Sequence, residues 1–234
     1  MTFTSHKDLV RAFYREAIGQ RNSELATQIV AEDYIQHHPM LPTGRQGVLD
    51  AIEYLKQFPP APAGTYPVHR MIEDGPLVGV HLWVKLGPRP QLVTDIFRIE
   101  NGQLAEHWDA IETVPESEGE GLHLIEGAAE PGDRAQTETS RQLISQMYEQ
   151  VMISQRIPST ALPALGKEAS RHPRQQMHRL LVEGQLALVQ ASGEIEGMAH
   201  VFYDWFYLEA GEVRQYWTVK QAVPEKMAHE NGMI

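Results

Sequence analysis

The sequence predicts an α+β protein made of two copies of one unit, in which helices come first and a curled antiparallel sheet follows. Three observations carry that expectation. Apolar positions recur at helical spacing near the start and alternate at strand spacing from Val68 onward. The stretch VTDIFRIENGQLAEHWDA, Val93 to Ala110, has the form of a tight hairpin, with Asn101-Gly102 between two alternating runs. The chain also repeats itself at fixed spacing. His69-Arg70, Gly75, Asp95, Phe97, Trp108 and Pro115 return 109 residues later as His178-Arg179, Gly184, Asp204, Phe206, Trp217 and Pro224. Leu9, Tyr14 and His38-Pro39 return 134 residues later as Leu143, Tyr148 and His172-Pro173, so the second copy is expected to be 25 residues shorter. The missing piece falls between Pro39 and His69 and would remove a helix. The units are expected over residues 1–115 and 138–234, joined by 116–137.

From Ser5 to about Gly19, Leu9, Val10, Phe13, Ala17 and Ile18 share a helical face, and Ser5 with Asp8 offers an N-cap. A second helix is predicted from Ser23 to about Ala31, followed by extended chain from Tyr34 to Pro39. Pro39, Pro42 and Gly44 mark a loop. Val48, Ile52 and Leu55 then predict a third helix that stops before Pro59-Pro60. Strands are predicted at about Val68 to Glu73, Leu77 to Leu86, Gln91 to Glu100 and Gln103 to Ile111. Between Thr113 and Thr137, acidic side chains mixed with glycine read as a linker and not as core.

The hairpin places chemistry. If Glu100 pairs with Gln103 and the register runs unbroken, Phe97 faces Glu106 and Asp95 faces Trp108. A three-residue turn at Gly87-Pro88-Arg89 would set His81 across from Asp95. It would also set Gly79 across from Phe97, where the absent side chain leaves a hollow. A carboxylate between an imidazole and an indole, beside a hollow, suits acid/base work; the same residues also suit a buried pair that only satisfies itself.

The two copies differ where this chemistry lies. His81 becomes Gln190, His37 becomes Arg171, Glu106 becomes Gln215, His107 becomes Tyr216 and Asp109 becomes Thr218, while Asp204 keeps its carboxylate. Glutamine does not exchange protons near neutral pH, so catalysis is expected in the first copy and packing in the second. Tyr203, Trp205 and Tyr207 alternate with Phe202, Asp204, Phe206 and Leu208; Val80, Leu82, Val84 and Ile96 are taken as the matching outer surface of the first copy. Sheet-on-sheet contact between the copies, an intrachain pseudo-dimer, is the expected cover for both. Alternation sets His107 and Asp109 on the face opposite Asp95, as a polar contact at that interface, and no metal site is expected.

Three segments resemble a known family. YIQHHP at Tyr34 to Pro39, HRMIEDGPLVGVH at His69 to His81 and DIFRIENGQLAEHWD at Asp95 to Asp109 are similar to the SnoaL-like polyketide cyclases and related aldol-condensation-type proteins of the nuclear transport factor 2-like superfamily. The resemblance covers residues 1 to about 115; the second copy shares only the hairpin, the first helix and the His-Pro pair. It implies two cone-shaped domains, each a bent mixed sheet wrapped around helices with a pocket at the open end. It also implies ring closure by intramolecular aldol condensation without metal or organic cofactor, with Asp95 at the position of the proton-exchanging carboxylate and His81 at that of the neighbouring histidine. His38 departs from the small polar residue usual at its position. The fused, shortened second copy departs from the usual single-domain homodimer.

Composition narrows the rest. With 31 acidic against 20 basic side chains, the formal charge of −11 argues against nucleic acid or an anionic membrane as partner. There are no cysteines, which removes disulfides, zinc-thiolate sites and a thiol nucleophile. No long apolar run is present, and the expected location is the cytoplasm. The expected function is cofactor-independent acid/base catalysis at a carbon next to a carbonyl of a small, largely apolar substrate, by aldol-type cyclisation or isomerisation. Asp95 takes the proton and His81 orients it or donates to the enolate oxygen; Phe97 and Trp108 disfavour the charged carboxylate, which makes it a better base. His38, Phe97, Trp108, Glu106 and Tyr14 are expected against the substrate. The alternative is a non-catalytic small-molecule-binding or regulatory module of the same fold. A further homo-oligomer is left open.

Overall fold

The computed structural model describes residues 3–60, 67–85, 87–154 and 174–234, without the side chains of 152–154. His172-Pro173 and Arg171 of the repeat lie outside the described residues. Ser5 caps α1 (His6–Ala12) by accepting from the Asp8 amide, and the helix runs on as a π-helical turn, Phe13–Ile18. Asn22 caps α2 (Ser23–Ile29) in the same way. This helix ends earlier than its periodicity predicts, because Val30 already has extended dihedrals. The chain from Val30 to Gln36 is a strand, β1, and α3 (Arg45–Leu55) follows the proline loop.

Strands β2 (Val68–Asp74), β3 (Leu77–Val84), β4 (Gln91–Glu100) and β5 (Gln103–Thr113) complete a five-stranded sheet of order β1-β5-β4-β3-β2. β1 lies parallel to β5 and the other pairs are antiparallel, so the sheet is mixed. After α4 (Thr137–Ser154), strands β6 (Arg174–Glu183), β7 (Leu186–Ile195), β8 (Met198–Glu209) and β9 (Glu212–Ala222) form an antiparallel sheet in chain order.

The β4–β5 turn has positive φ at both Asn101 and Gly102, as its dipeptide predicts. Beyond it the register departs from expectation. Glu100 pairs with Gln103 and Ile99 with Leu104, but Ala105 is then skipped and Arg98 pairs with Glu106. This β-bulge turns every later β5 side chain to the other face: Asp95 lies opposite Asp109, and Trp108 lies opposite Ile96. β3 and β4 are also one residue out. Val84 pairs with Gln91, a longer connection than a three-residue turn, and His81 faces Thr94 while Val80 faces Asp95. Pro88 and Pro90 lack the N–H groups that a tighter ladder would need.

Three apolar layers result. Phe13, Leu25, Ile29, Tyr34 and Ile52 of the helical side pack on Val78, Val80, Leu82 and Phe97 of the first sheet. Ile144, Tyr148 and Val151 pack on Phe202 and Phe206 of the second. Between the sheets lie Ile72, Ile96, Trp108, Leu188, Tyr203, Trp205 and Trp217. Val80 and Leu82 therefore face the helices, contrary to their expected place on the outer surface. Gly79 has no hollow beside Phe97. A Cβ there would meet Leu188 Cδ2 at 2.6 Å, so its missing side chain admits a residue of the other sheet.

Contacts between the sheets come in reciprocal pairs. The Glu73 amide donates to Glu183 Oε2 (2.8 Å) and the Val182 amide to Asp74 Oδ2 (2.9 Å). The Ile111 amide donates to Gln221 Oε1 (2.7 Å) and the Lys220 amide to Glu112 Oε2 (3.1 Å). Arg70 lies 3.4 Å over the Trp217 ring, and Arg179 lies 3.7 Å over that of Trp108. In each reciprocal pair the residues that exchange roles are 109 apart in sequence, as Glu73 and Val182 or Arg70 and Arg179 are. The stretch 116–137 is no free tether: Ile125 is buried between the sheets, and Trp83 and Trp217 donate to the carbonyls of Glu120 and Glu126. Among the described residues no helix is long and apolar enough to cross a membrane.

Candidate functional site

On the helical side of the first sheet, β4 contributes Asp95 and Phe97, and the bulge brings His107 and Asp109 of β5 beside them. Tyr14 reaches down from the π-helical turn and donates its hydroxyl to Asp95 Oδ2. His107 Nε2 stands 3.3 Å from Asp95 Oδ1, and its ring stacks on Phe97 at 4.6 Å. Phe97 meets Phe13 and Tyr14 edge-on. Asp109 Oδ2 is 2.7 Å from His38 Nδ1. Asp95 is 5% exposed and Asp109 4%, so both carboxylates are largely withdrawn from water. Burial opposes charge on His38, but the hydrogen bond and charge of Asp109, with the charge of Asp95, hold its pKa above the ordinary range. Burial and the charges of Asp95, Asp109 and Glu106 keep the Tyr34 hydroxyl protonated.

Gln36, at the end of β1, organises this edge. Its Oε1 accepts from the His37 and His38 amides at 3.0 and 2.9 Å and lies 2.9 Å from His107 Nδ1. The tail after Pro224, in which the sequence shows no motif, clasps the same loop. The Ala228 amide donates to the Pro39 carbonyl, His229 Nε2 to the His38 carbonyl and Asn231 Nδ2 to the Gln36 carbonyl.

Of the residues singled out from sequence, the structure brings together Asp95, Phe97, Tyr14 and, through Asp109, His38. Three others lie on the opposite face. His81 is fully buried between the sheets, its ring stacked on Trp205 at 5.7 Å and both nitrogens without a partner. Burial, Arg70 and His69 push its pKa far below the ordinary histidine range, so it is neutral and does not meet Asp95. Trp108 is held by Arg179 and stacks on His37 at 5.0 Å. Glu106 is bound by Arg98 Nε (2.7 Å) and His37 Nε2 (3.0 Å). The one-residue shifts in both registers are the cause. They also overturn the expectation that His107 and Asp109 form an interface contact. The signal that could have found those two is the comparison of copies, since both are among the positions that change beside a retained aspartate.

The matching place in the second half is closed. Asp204 accepts from the hydroxyls of Tyr148 and Tyr216 and takes Arg174 through two nitrogens, Nη2 to Oδ1 at 2.7 Å and Nε to Oδ2 at 2.9 Å. Burial disfavours its charge, but Arg174 outweighs it and holds the carboxyl below the usual range.

Residues 10–107, which include Tyr14, His38, Asp95, Phe97 and His107 but not Asp109, match the SnoaL-like domain family. This segment is 98 of the chain's 234 residues. Among solved structures it is similar to TsrD from Streptomyces laurentii (17% identity, 48% of this chain and 91% of that one, TM-score 0.37). It is also similar to IdmH from Streptomyces antibioticus, proposed to be a polyketide cyclase (21%, 45% and 91%, TM-score 0.37). A third likeness is to an NTF2-like protein from Cytophaga hutchinsonii (20%, 50% and 96%, TM-score 0.39). No curated protein matches the sequence.

Proposed function

We propose that the SnoaL-like domain transfers protons at a carbon next to a carbonyl of a small, largely apolar substrate, as in aldol-type cyclisation or isomerisation, with its own side chains as acid and base. The observation that carries this reading is the company of Asp95: a largely buried carboxylate walled by Phe97, bonded by the Tyr14 hydroxyl and faced by the His107 imidazole. Asp95 takes the proton from carbon, the electron pair moves to the carbonyl oxygen, and the Tyr14 hydroxyl turns from Asp95 Oδ2, to which it donates before substrate enters, to donate to that oxygen. His107 stands where it can accept the proton from Asp95. We further read the second half as a shortened copy whose site is sealed by Arg174, and the two sheets as an intrachain pseudo-dimer. The reciprocal contacts support that reading, because in an isologous interface each contact recurs with the partners exchanged.

A second reading is a binding module that does no chemistry. What favours it is the burial of Asp95. Deuterium exchange into the α-position of small apolar 1,3-dicarbonyls, followed by NMR in D₂O with a chelator present, separates the two. Wild type is expected to accelerate exchange, Asp95→Asn to lose about 100-fold or more of it, and Tyr216→Phe to keep it. Exchange by Asp95→Asn within about tenfold of wild type would remove Asp95 from the mechanism.

A further inference from the structure

We propose that Asp95, His107 and Asp109 bind one divalent transition-metal cation. Each offers a donor atom, and the three lie within 4.8 Å of one another. Asp95 and Asp109 are directly paired across β4 and β5, an arrangement of like charges that is unfavourable without a positive charge between them. The protonation of His107 is fixed by its neighbour. Gln36 Oε1 accepts from two backbone amides, which sets the orientation of its amide group, so His107 Nδ1 facing that oxygen must carry the hydrogen. In the neutral ring Nε2 then has a bare lone pair, and it points at Asp95 without forming a hydrogen bond. Asp109 Oδ1, on a residue only 4% exposed, also has no hydrogen-bond partner.

Lone pairs from three residues thus converge with no proton placed between them. A cation satisfies all of them together. One imidazole nitrogen with carboxylate oxygens suits Mn²⁺, Fe²⁺ or Zn²⁺ better than Ca²⁺, which prefers oxygen ligands throughout. The outer contacts are those of a metal site: His107 gives its second ring nitrogen to Gln36, and Asp109 is held by His38 through its other oxygen. The second half lacks the donor set, since Tyr216 and Thr218 replace His107 and Asp109 and Arg174 occupies Asp204. A bound cation takes the lone pairs of Asp95 and His107 that proton transfer needs, so loading suppresses that reaction.

Calorimetric titration of the chelator-stripped full chain with Mn²⁺ and with Zn²⁺ tests the site. One cation per chain is expected. Gln36→Leu should weaken binding about 10–100-fold by freeing the His107 ring, Asp109→Asn and His107→Gln should weaken it more, and exposed His123→Gln should leave it unchanged. Absence of binding, or affinity indifferent to Asp109→Asn and His107→Gln in folded protein, would overturn the proposal. Should either variant fail to fold, pulsed electron paramagnetic resonance of Mn²⁺ on wild type decides, because coupling to an imidazole nitrogen is required. The exchange assay runs with chelator, so loss of the cation site leaves the acid/base reading standing.

Discussion

Asp95 and Asp204 sit at matching places on matching strands, each bonded by a tyrosine from the helix above, and differ in what else reaches them. Arg174 neutralises Asp204, whereas Asp95 has a second carboxylate and two imidazoles nearby. The place of Asp95 in an apolar row is legible in the sequence from alternation, and the repeat retains it as Asp204. The neighbours of Asp95 are not legible, since a one-residue slip on either side moves a whole strand's side chains to the other face. His38 gives this scale its own test. Its folded pKa is raised, so its stabilising contribution is complete below the ordinary histidine pKa and is lost as pH rises through the folded value. Urea denaturation should show His38→Gln costing more stability at pH 6 than at pH 8.5; equal costs would mean that the Asp109 contact does not favour the imidazolium.

Among the elements, the bulge at Ala105 does most to build the site, and no turn dipeptide or breaker in the sequence marks it. β1 was half-visible as extended chain after Tyr34, but its first residues read as helix because Val30 and Ala31 continue the apolar spacing of α2. The three helices and the four later strands of the first half were legible from periodicity and capping alone. Gly79 reads in the sequence as a gap beside Phe97, and the shifted β3–β4 register puts that gap on the other side of the sheet. Because its space is filled by Leu188, Gly79→Val should overpack the inter-sheet layer and cost about 1–3 kcal/mol in chemical denaturation. Leu188→Ala in the same chain should recover part of that loss; no recovery would place the strain elsewhere. The tail that clasps Gln36, His38 and Pro39 carries no periodicity or motif, and its role is visible only in the folded contacts.

At the scale of the molecule, two sheets share one apolar layer, and the same pairs of positions touch in both directions across it. The fixed spacings of 109 and 134 foreshadowed two sheets of like build, and the aromatic alternation of β8 foreshadowed which face would be covered. Neither could say that the covering face would also take His81, because that depended on the β3–β4 register. In the proposed reading the helical side of the first sheet does the chemistry, while Arg174 binds Asp204 at the corresponding place in the second. Calorimetric titration with 2-naphthol, a flat apolar phenol that imitates an enolate, tests this division most directly. One molecule bound per chain, with binding lost in Asp95→Asn, is the predicted result; two per chain, none, or one that Asp95→Asn leaves unchanged would contradict it.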